Sequence, residues 1–250
     1  MRLFGIIGYP LGHSFSERYF TEKFERENLT GYRYKKFELS SLDMLPALLE
    51  KEPDLKGFNV TIPYKIQIIN YLHDIDPAAA EIGAVNTVRV TRRNGAVHLK
   101  GFNTDAPAFR QSLLDNLSSL PESAVVLGTG GASKSVSHIL MELNIRVITV
   151  SRKPDTGIFT YRDLPGEELH AAGLVVNTTP VGTFPDTEAA PSIDYSWLRE
   201  GQFLFDLIYN PPQTLFLRMG EEHGCQTLNG EEMFHIQAEM AWEIWNRETI

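Results

Sequence analysis

Residues 123–133, SAVVLGTGGAS, constrain the fold more than any other stretch of this chain. A short apolar run, Ala124 to Leu127, enters a glycine turn, and Ala132 and Ser133 begin an amphipathic segment. The run reads as a strand over 124–127, followed by a helix over 131–143 and a second strand over 146–150. Gly128 permits a tight turn, and Gly130 lets backbone approach a ligand. The helix start beyond them offers N–H donors and a positive dipole end, which suit a pyrophosphate. Gly128 and Gly130 fit the first two glycines of GxGxxG, while Ser133 stands at the third position, where Gly or Ala is usual. An ordinary strand–helix turn has the same outline, so the flanking strands and helix decide the reading. They point to a Rossmann-type dinucleotide unit with Gly128, Gly130, Gly131 and Ala132 at the cofactor.

The second strand of this unit ends in Val150-Ser151-Arg152-Lys153. An NAD site places Asp or Glu about 20 residues beyond the glycines, to accept the ribose 2′-hydroxyl. Here the chain offers a hydroxyl and two cations. A carboxylate would repel a 2′-phosphate, whereas a guanidinium grips it bidentately. Ser151 and Arg152 therefore predict NADP rather than NAD, the bland alternative being solvated loop charges. Thr178, in the TTPVG turn after a strand over 174–177, is expected to line the cofactor.

Charge sharpens this. Lysine plus arginine is 23 and aspartate plus glutamate is 32, a net −9. An acidic chain is a poor general binder of nucleic acid or anionic membrane, so cations for a phosphate must be local. Cys225 is the one cysteine, which excludes an internal disulfide and suggests a reducing, cytoplasmic setting. The first apolar run, residues 3–8, is too short for a signal core or membrane span. The seven histidines show no HExxH spacing or pairing with cysteine, so no metal site is expected.

The rest alternates apolar and amphipathic segments. Strands are expected over 3–7, 32–39, 57–62, 85–91, 97–101 and 203–206. Helices are expected over 16–28, 42–51, 65–72, 77–82, 107–117, 212–223 and 231–245. Asn94-Gly95 marks a hairpin, because that pair accepts positive φ. The length of 250 residues suits one large domain or two modest ones. The expected fold class is α/β in two domains with a cleft between: a mostly parallel N-terminal domain, residues 1–101 plus 230–250, and a Rossmann-type domain, residues 102–229.

Two strand-to-helix corners in the first half carry candidate chemistry: Thr61 and Lys65 in NVTIPYK, and Asp105 in GFNTD. Open α/β sheets put ligands at such corners. A lysine held by an aspartate forms a proton-transfer pair for a carbonyl receiving hydride. Alone, Lys65 could be a snorkelling lysine and Asp105 the N-cap of a helix starting near Pro107.

The chain resembles the shikimate dehydrogenase family along nearly its whole length. The marks are Gly12-His13-Ser14-Phe15-Ser16, Asn59 to Lys65, Gly83-Ala84-Val85-Asn86-Thr87-Val88, Asn103-Thr104-Asp105, Gly128 to Ala132, Asp206-Leu207-Ile208-Tyr209-Asn210-Pro211, and Asn229-Gly230 with Met233 and Gln237. The resemblance implies reduction of 3-dehydroshikimate to shikimate with NADPH, in aromatic amino-acid biosynthesis. It implies Ser14 and Ser16 on the substrate carboxylate, Thr61, Asn86 and Gln237 on the ring and its hydroxyls, and Tyr209 near carboxylate and nicotinamide. Lys65 and Asp105 are the implied catalytic pair, and Ser151 and Arg152 the adenine-ribose turn. The only partner implied is the small-molecule substrate, with a monomer or homodimer as assembly.

Two positions depart from the family pattern. Glu17 stands where proline is common, which puts an anion near the implied carboxylate pocket. Glu232 stands where glycine is common, next to the implied nicotinamide end. Two other functions compete: a quinate/shikimate dehydrogenase using NAD or both cofactors, and a non-catalytic NADP- or metabolite-binding regulator.

Overall fold

The computed structural model describes residues 1–12 and 15–247. The chain divides into two α/β units, Met1–Thr104 with Ala238–Ile250, and Asp105–Gln237. The crossings thus fall at 104/105 and 237/238, against 101/102 and 229/230 read from the sequence. The first turns of the last helix belong with the second unit because the Gly230 N–H donates to the Ile208 carbonyl and Phe234 stacks on Tyr209.

The first unit runs β1 (Arg2–Gly8), α1 (Ser16–Arg26), β2 (Tyr32–Glu38), α2 (Leu45–Lys51), β3 (Leu55–Val60), β4 (Asp74–Ile75), α3 (Pro77–Ile82), β5 (Thr87–Arg93) and β6 (Ala96–Phe102). Its sheet order is β2-β1-β3-β5-β6-β4. β1 is parallel to β2 and β3, and β4 is parallel to β6, while β5 is antiparallel to both β3 and β6. β1 reads as continuously apolar because both of its faces are covered. Its period of two sends Leu3 and Ile7 to a core with Leu45, Val60 and Ile68, and Phe4 and Ile6 to a core with Phe20, Phe24 and Trp245. Asn94 (φ 51°) and Gly95 (φ 82°) make the left-handed turn between β5 and β6.

Residues 65–72 do not form the expected α-helix. An α-helix would give the Lys65 carbonyl to the Ile69 N–H. Instead that carbonyl accepts from Val85 N, 2.8 Å away, and Ile69 N turns to Ile66 O. The segment becomes a 3-10 turn over Gln67–Tyr71.

The second unit contains α4 (Asp105–Asn116), β7 (Ser123–Leu127), α5 (Gly131–Glu142), β8 (Arg146–Ser151), β9 (Phe159–Thr160), α6 (Gly166–Ala171), β10 (Leu174–Asn177), β11 (Phe203–Asp206), α7 (Leu215–Glu222) and β12 (Gln226–Leu228). The last helix, α8 (Glu231–Asn246), begins here and ends in the first unit. The six strands lie in the order β12-β11-β10-β7-β8-β9, every neighbour parallel. Counted within the unit this is 3-2-1-4-5-6, the doubly wound order of dinucleotide folds. Leu204 faces Leu169 of α6 and Phe216 of α7. Its neighbour Phe205 points the other way and stacks on Phe109 of α4, 5.3 Å between centroids. The two edge strands, of two and three residues, were not legible from periodicity. α7 starts at Leu215 rather than 212 because the Thr214 hydroxyl caps it, accepting from Leu217 N. Among the described residues no helix is long and apolar enough to cross a membrane.

Candidate active site

In the second unit the chain leaves β7 toward β8 on one side and reaches β10 on the other. Ligands of open α/β sheets bind at the carboxyl ends of strands where the winding reverses in this way. Gly128, just beyond β7, has φ +117°, and a Cβ there would lie 2.6 Å from Thr178 Oγ1. Only glycine takes this backbone without strain or collision. Thr178 donates to the Leu127 carbonyl from both its N–H (3.0 Å) and its hydroxyl (2.6 Å), which joins the two loops. Ser133, in the third glycine position, is buried, and its hydroxyl donates to Gly128 O at 2.7 Å. It therefore braces the turn from below.

Gly130 is the N-cap of α5 and offers no side-chain acceptor to the first-turn N–H groups. A Cβ on Gly130 would meet nothing within 4 Å. Gly131 and Ala132 continue the helix start. This cradle of backbone donors on an open side fits the pyrophosphate of a dinucleotide.

Ser151 ends β8, and its hydroxyl accepts from Lys153 N at 3.3 Å, shaping the turn that carries Arg152. Arg152 is exposed and lines a cavity of ≈ 620 Å³ with Thr160, Tyr161, Arg162, Asp163 and Ser192. The residues present fit the 2′-phosphorylated end of such a cofactor. Tyr161 and Arg162 were missed from the sequence, because they enter through the unforeseen strand β9.

In the first unit, residues 84–86, just before β5, hold two of the candidate segments. Val85 N holds the Lys65 carbonyl, and Asn86 O accepts from Val60 N at 2.7 Å. The buried Asn86 amide donates to Thr104 Oγ1 (2.9 Å) and accepts from Thr104 N (2.7 Å). Asn103 donates to Ala84 O at 2.9 Å. Residues 84–86 therefore anchor both the Lys65 turn and the loop that runs into Asp105. Thr61 follows β3, with its N–H on Ile7 O. Ser16 is buried as the first residue of α1. Ser14, together with His13, lies outside the described residues. Glu17 sits in the first turn of α1, where an acid favours the dipole.

Asp105 is buried, and it is the first helical residue of α4. It is therefore not the N-cap of a helix starting at Pro107. Pro107 falls in the first turn, where an N–H has no intrahelical acceptor and proline costs little.

Tyr209 stacks on Phe234 at 4.7 Å, one turn before Gln237. The Gln237 amide donates to Phe234 O at 3.0 Å. Glu232 points to α4: its Oε2 accepts from the buried Ser112 hydroxyl (2.7 Å) and from Asn116 Nδ2 (2.8 Å). The departure at 232 is thus absorbed within the second unit by two polar partners on α4.

Sequence reasoning also missed the polar knot at the end of β11. Asp206 is fully buried, and its carboxylate accepts from Asn177 Nδ2 (3.0 Å), Ile208 N (3.0 Å) and Thr214 Oγ1 (2.6 Å). Burial raises its pKa to about 7, against the downward pull of those three bonds. The knot fixes the turn that carries Tyr209. The signal was the Asp206-to-Pro211 stretch, whose carboxylate was noted without a role.

Comparison with known proteins places this geometry. Residues 6–88 match the family described as the shikimate dehydrogenase substrate binding domain. A shikimate dehydrogenase (NADP+) of Carboxydothermus hydrogenoformans is 34% identical, over 98% of this chain and 91% of its own length. The crystal structure of shikimate dehydrogenase 1 from Peptoclostridium difficile is 35% identical, with a TM-score of 0.84 over 100% of this chain and 93% of that one. That of the Thermus thermophilus enzyme, in complex with NADP(H) and shikimate, is 32% identical with a TM-score of 0.84, over 98% and 94%.

Proposed function

This chain belongs to the shikimate dehydrogenase family, and from that membership we propose that it catalyses the NADP-dependent, reversible reduction of 3-dehydroshikimate to shikimate. The cofactor supplies hydride chemistry when bound. Gly128, Gly130, Gly131 and Ala132 hold its pyrophosphate with backbone N–H groups, Thr178 lines the same turn, and Ser151 and Arg152 take its 2′-phosphate. Lys65 Nζ gives a proton to the carbonyl oxygen as hydride arrives, and takes one from the alcohol in reverse. Asp105 supplies the counter-charge that keeps Lys65 in place. Ser14 and Ser16 bind the substrate carboxylate, Thr61, Asn86 and Gln237 its ring and hydroxyls, and Tyr209 lies near carboxylate and nicotinamide. The reading puts a monomer or homodimer in the cytoplasm, with the first unit, Met1–Thr104 and Ala238–Ile250, as substrate domain and the second, Asp105–Gln237, as cofactor domain.

The observation that carries the catalytic assignment is the double anchor at Val85 and Asn86. Val85 N–H pins Lys65 by its carbonyl, and the neighbouring Asn86 side-chain amide pins Thr104, directly before Asp105, by its N–H and hydroxyl. Catalytic groups need such supports to hold a reactive geometry. A non-catalytic binder has no need of a proton relay.

An initial-rate panel, shikimate and quinate against NADP and NAD, tests the reading. We expect fast turnover with shikimate and NADP. Faster quinate oxidation, or NAD preferred over NADP, would move the chain to the quinate/shikimate class. Ligand binding with no turnover would make it a regulator. Arg152→Ala is expected to raise KM for NADPH about tenfold or more and leave KM for NADH nearly unchanged, since it removes a charge-assisted contact to the 2′-phosphate. An equal rise for both cofactors would reject that contact.

A further inference from the structure

We propose that Arg162 is a second guanidinium for the 2′-phosphate of NADP, acting beside Arg152 across the cavity walled by Tyr161. The inference rests on the NADP reading and deepens it.

It begins with strand register. β8 and β9 run parallel, with Val150 opposite Phe159 and Ser151 opposite Thr160. The chain leaving β8 carries Arg152 next, and the chain leaving β9 carries Tyr161 and then Arg162. Both exits are at the carboxyl ends of the strands, the edge that also bears the Gly128 turn. The two arginines meet as linings of one cavity.

Their charges are not spent within the protein. Arg18, Arg110 and Arg146 each pair with a glutamate at 2.9 Å or less. Among the described residues neither Arg152 nor Arg162 has an ion-pair partner. Two such cations lining one cavity, on a chain of net −9, repel each other and favour an anion held between them. Asp163 also lines the cavity, but its carboxylate accepts the Thr160 hydroxyl, while Asp163 N and Leu164 N return to Thr160 O at 3.1 and 3.0 Å. Its charge stays in the lining, one anion against two cations, so the cavity keeps a net positive sign. The Ser192 hydroxyl adds a polar group to the lining. Tyr161 is partly buried, and burial raises its pKa while the Arg152 charge lowers it, so the phenol adds no anion at neutral pH.

A phosphate monoester carries nearly two negative charges at neutral pH, enough to engage two guanidinium groups. Arg152 alone would leave part of that charge to water.

The test compares wild type, Arg162→Ala, Arg152→Ala and the double variant. Calorimetry measures binding of 2′,5′-ADP and of 5′-ADP, and initial rates give KM for NADPH and NADH. Arg162→Ala is expected to weaken 2′,5′-ADP and to raise KM for NADPH about tenfold, with 5′-ADP, NADH and kcat nearly unchanged. The double variant should bind both nucleotides alike. If Arg162→Ala binds 2′,5′-ADP as wild type does while Arg152→Ala loses it, Arg162 is a solvated surface cation and the proposal fails. If wild type itself binds 2′,5′-ADP no tighter than 5′-ADP, the NADP reading fails instead.

Discussion

Lys65→Ala is expected to lower kcat by about 10²–10⁴, with KM for shikimate changing far less. In the proposed mechanism the lysine contributes a proton in the transition state and little to holding the ground state. Losing such a group depresses kcat and kcat/KM together. The fold should survive the truncation. Lys65 is only partly buried, and its backbone carbonyl accepts from Val85 N, a bond that alanine keeps. Lys65→Arg separates charge from proton transfer. It preserves a cation, but a guanidinium does not release its proton near neutral pH, so turnover should stay low. Near-wild-type kcat in purified Lys65→Ala, or full rescue by arginine, would remove Lys65 from the chemistry. Circular dichroism of each variant guards against loss of fold.

The sequence alone made the dinucleotide unit legible because its signals are local. A short apolar strand, a glycine that must take positive φ and a helix start all lie within residues 123–133, and the structure places Gly128 at φ +117° at the winding reversal. Other features depend on distant partners. Residues 65–72 have helical spacing, yet Val85 takes the Lys65 carbonyl and tightens the segment into a 3-10 turn. Glu232 looked like a threat to the nicotinamide end because its partners, Ser112 and Asn116, lie 120 and 116 residues away. Ser133 looked like an imperfect third glycine, and its bond to Gly128 O explains why a small hydroxyl serves there. β9 is two residues long, too short for any period to register, so Arg162 stayed invisible until the fold made it line one cavity with Arg152. Patterns report which face a residue takes; they do not report the hydrogen bond that crosses the fold to reach it.

Asp206→Ala is expected to destabilise the protein by about 3–5 kcal/mol, because it strands three buried donors at once. Those donors are Asn177 Nδ2, Ile208 N and the Thr214 hydroxyl. Thr214 also caps α7, so the loss should reach that helix. Asp206→Asn is gentler: its carbonyl still accepts from Asn177 and Ile208, and its amide faces Thr214. The pair separates hydrogen bonding from charge. The Asp206 carboxyl has its folded pKa raised from 3.8 to about 7 by burial. Below about pH 4 both folded and unfolded states hold the proton, and the full stabilisation is present. Between about pH 4 and 7 the unfolded chain has lost it while the folded chain keeps it, so stability falls as pH rises, by about 1.4 kcal/mol per pH unit at most. Above about pH 7 both forms are ionised and the loss levels off. Urea unfolding of wild type and Asp206→Asn at pH 5, 6, 7 and 8.5 should therefore show wild type losing ground to the variant up to about pH 7 and holding a constant difference beyond. Parallel profiles across that range would mean the buried carboxylate is already ionised at pH 5, its three donors having outweighed desolvation.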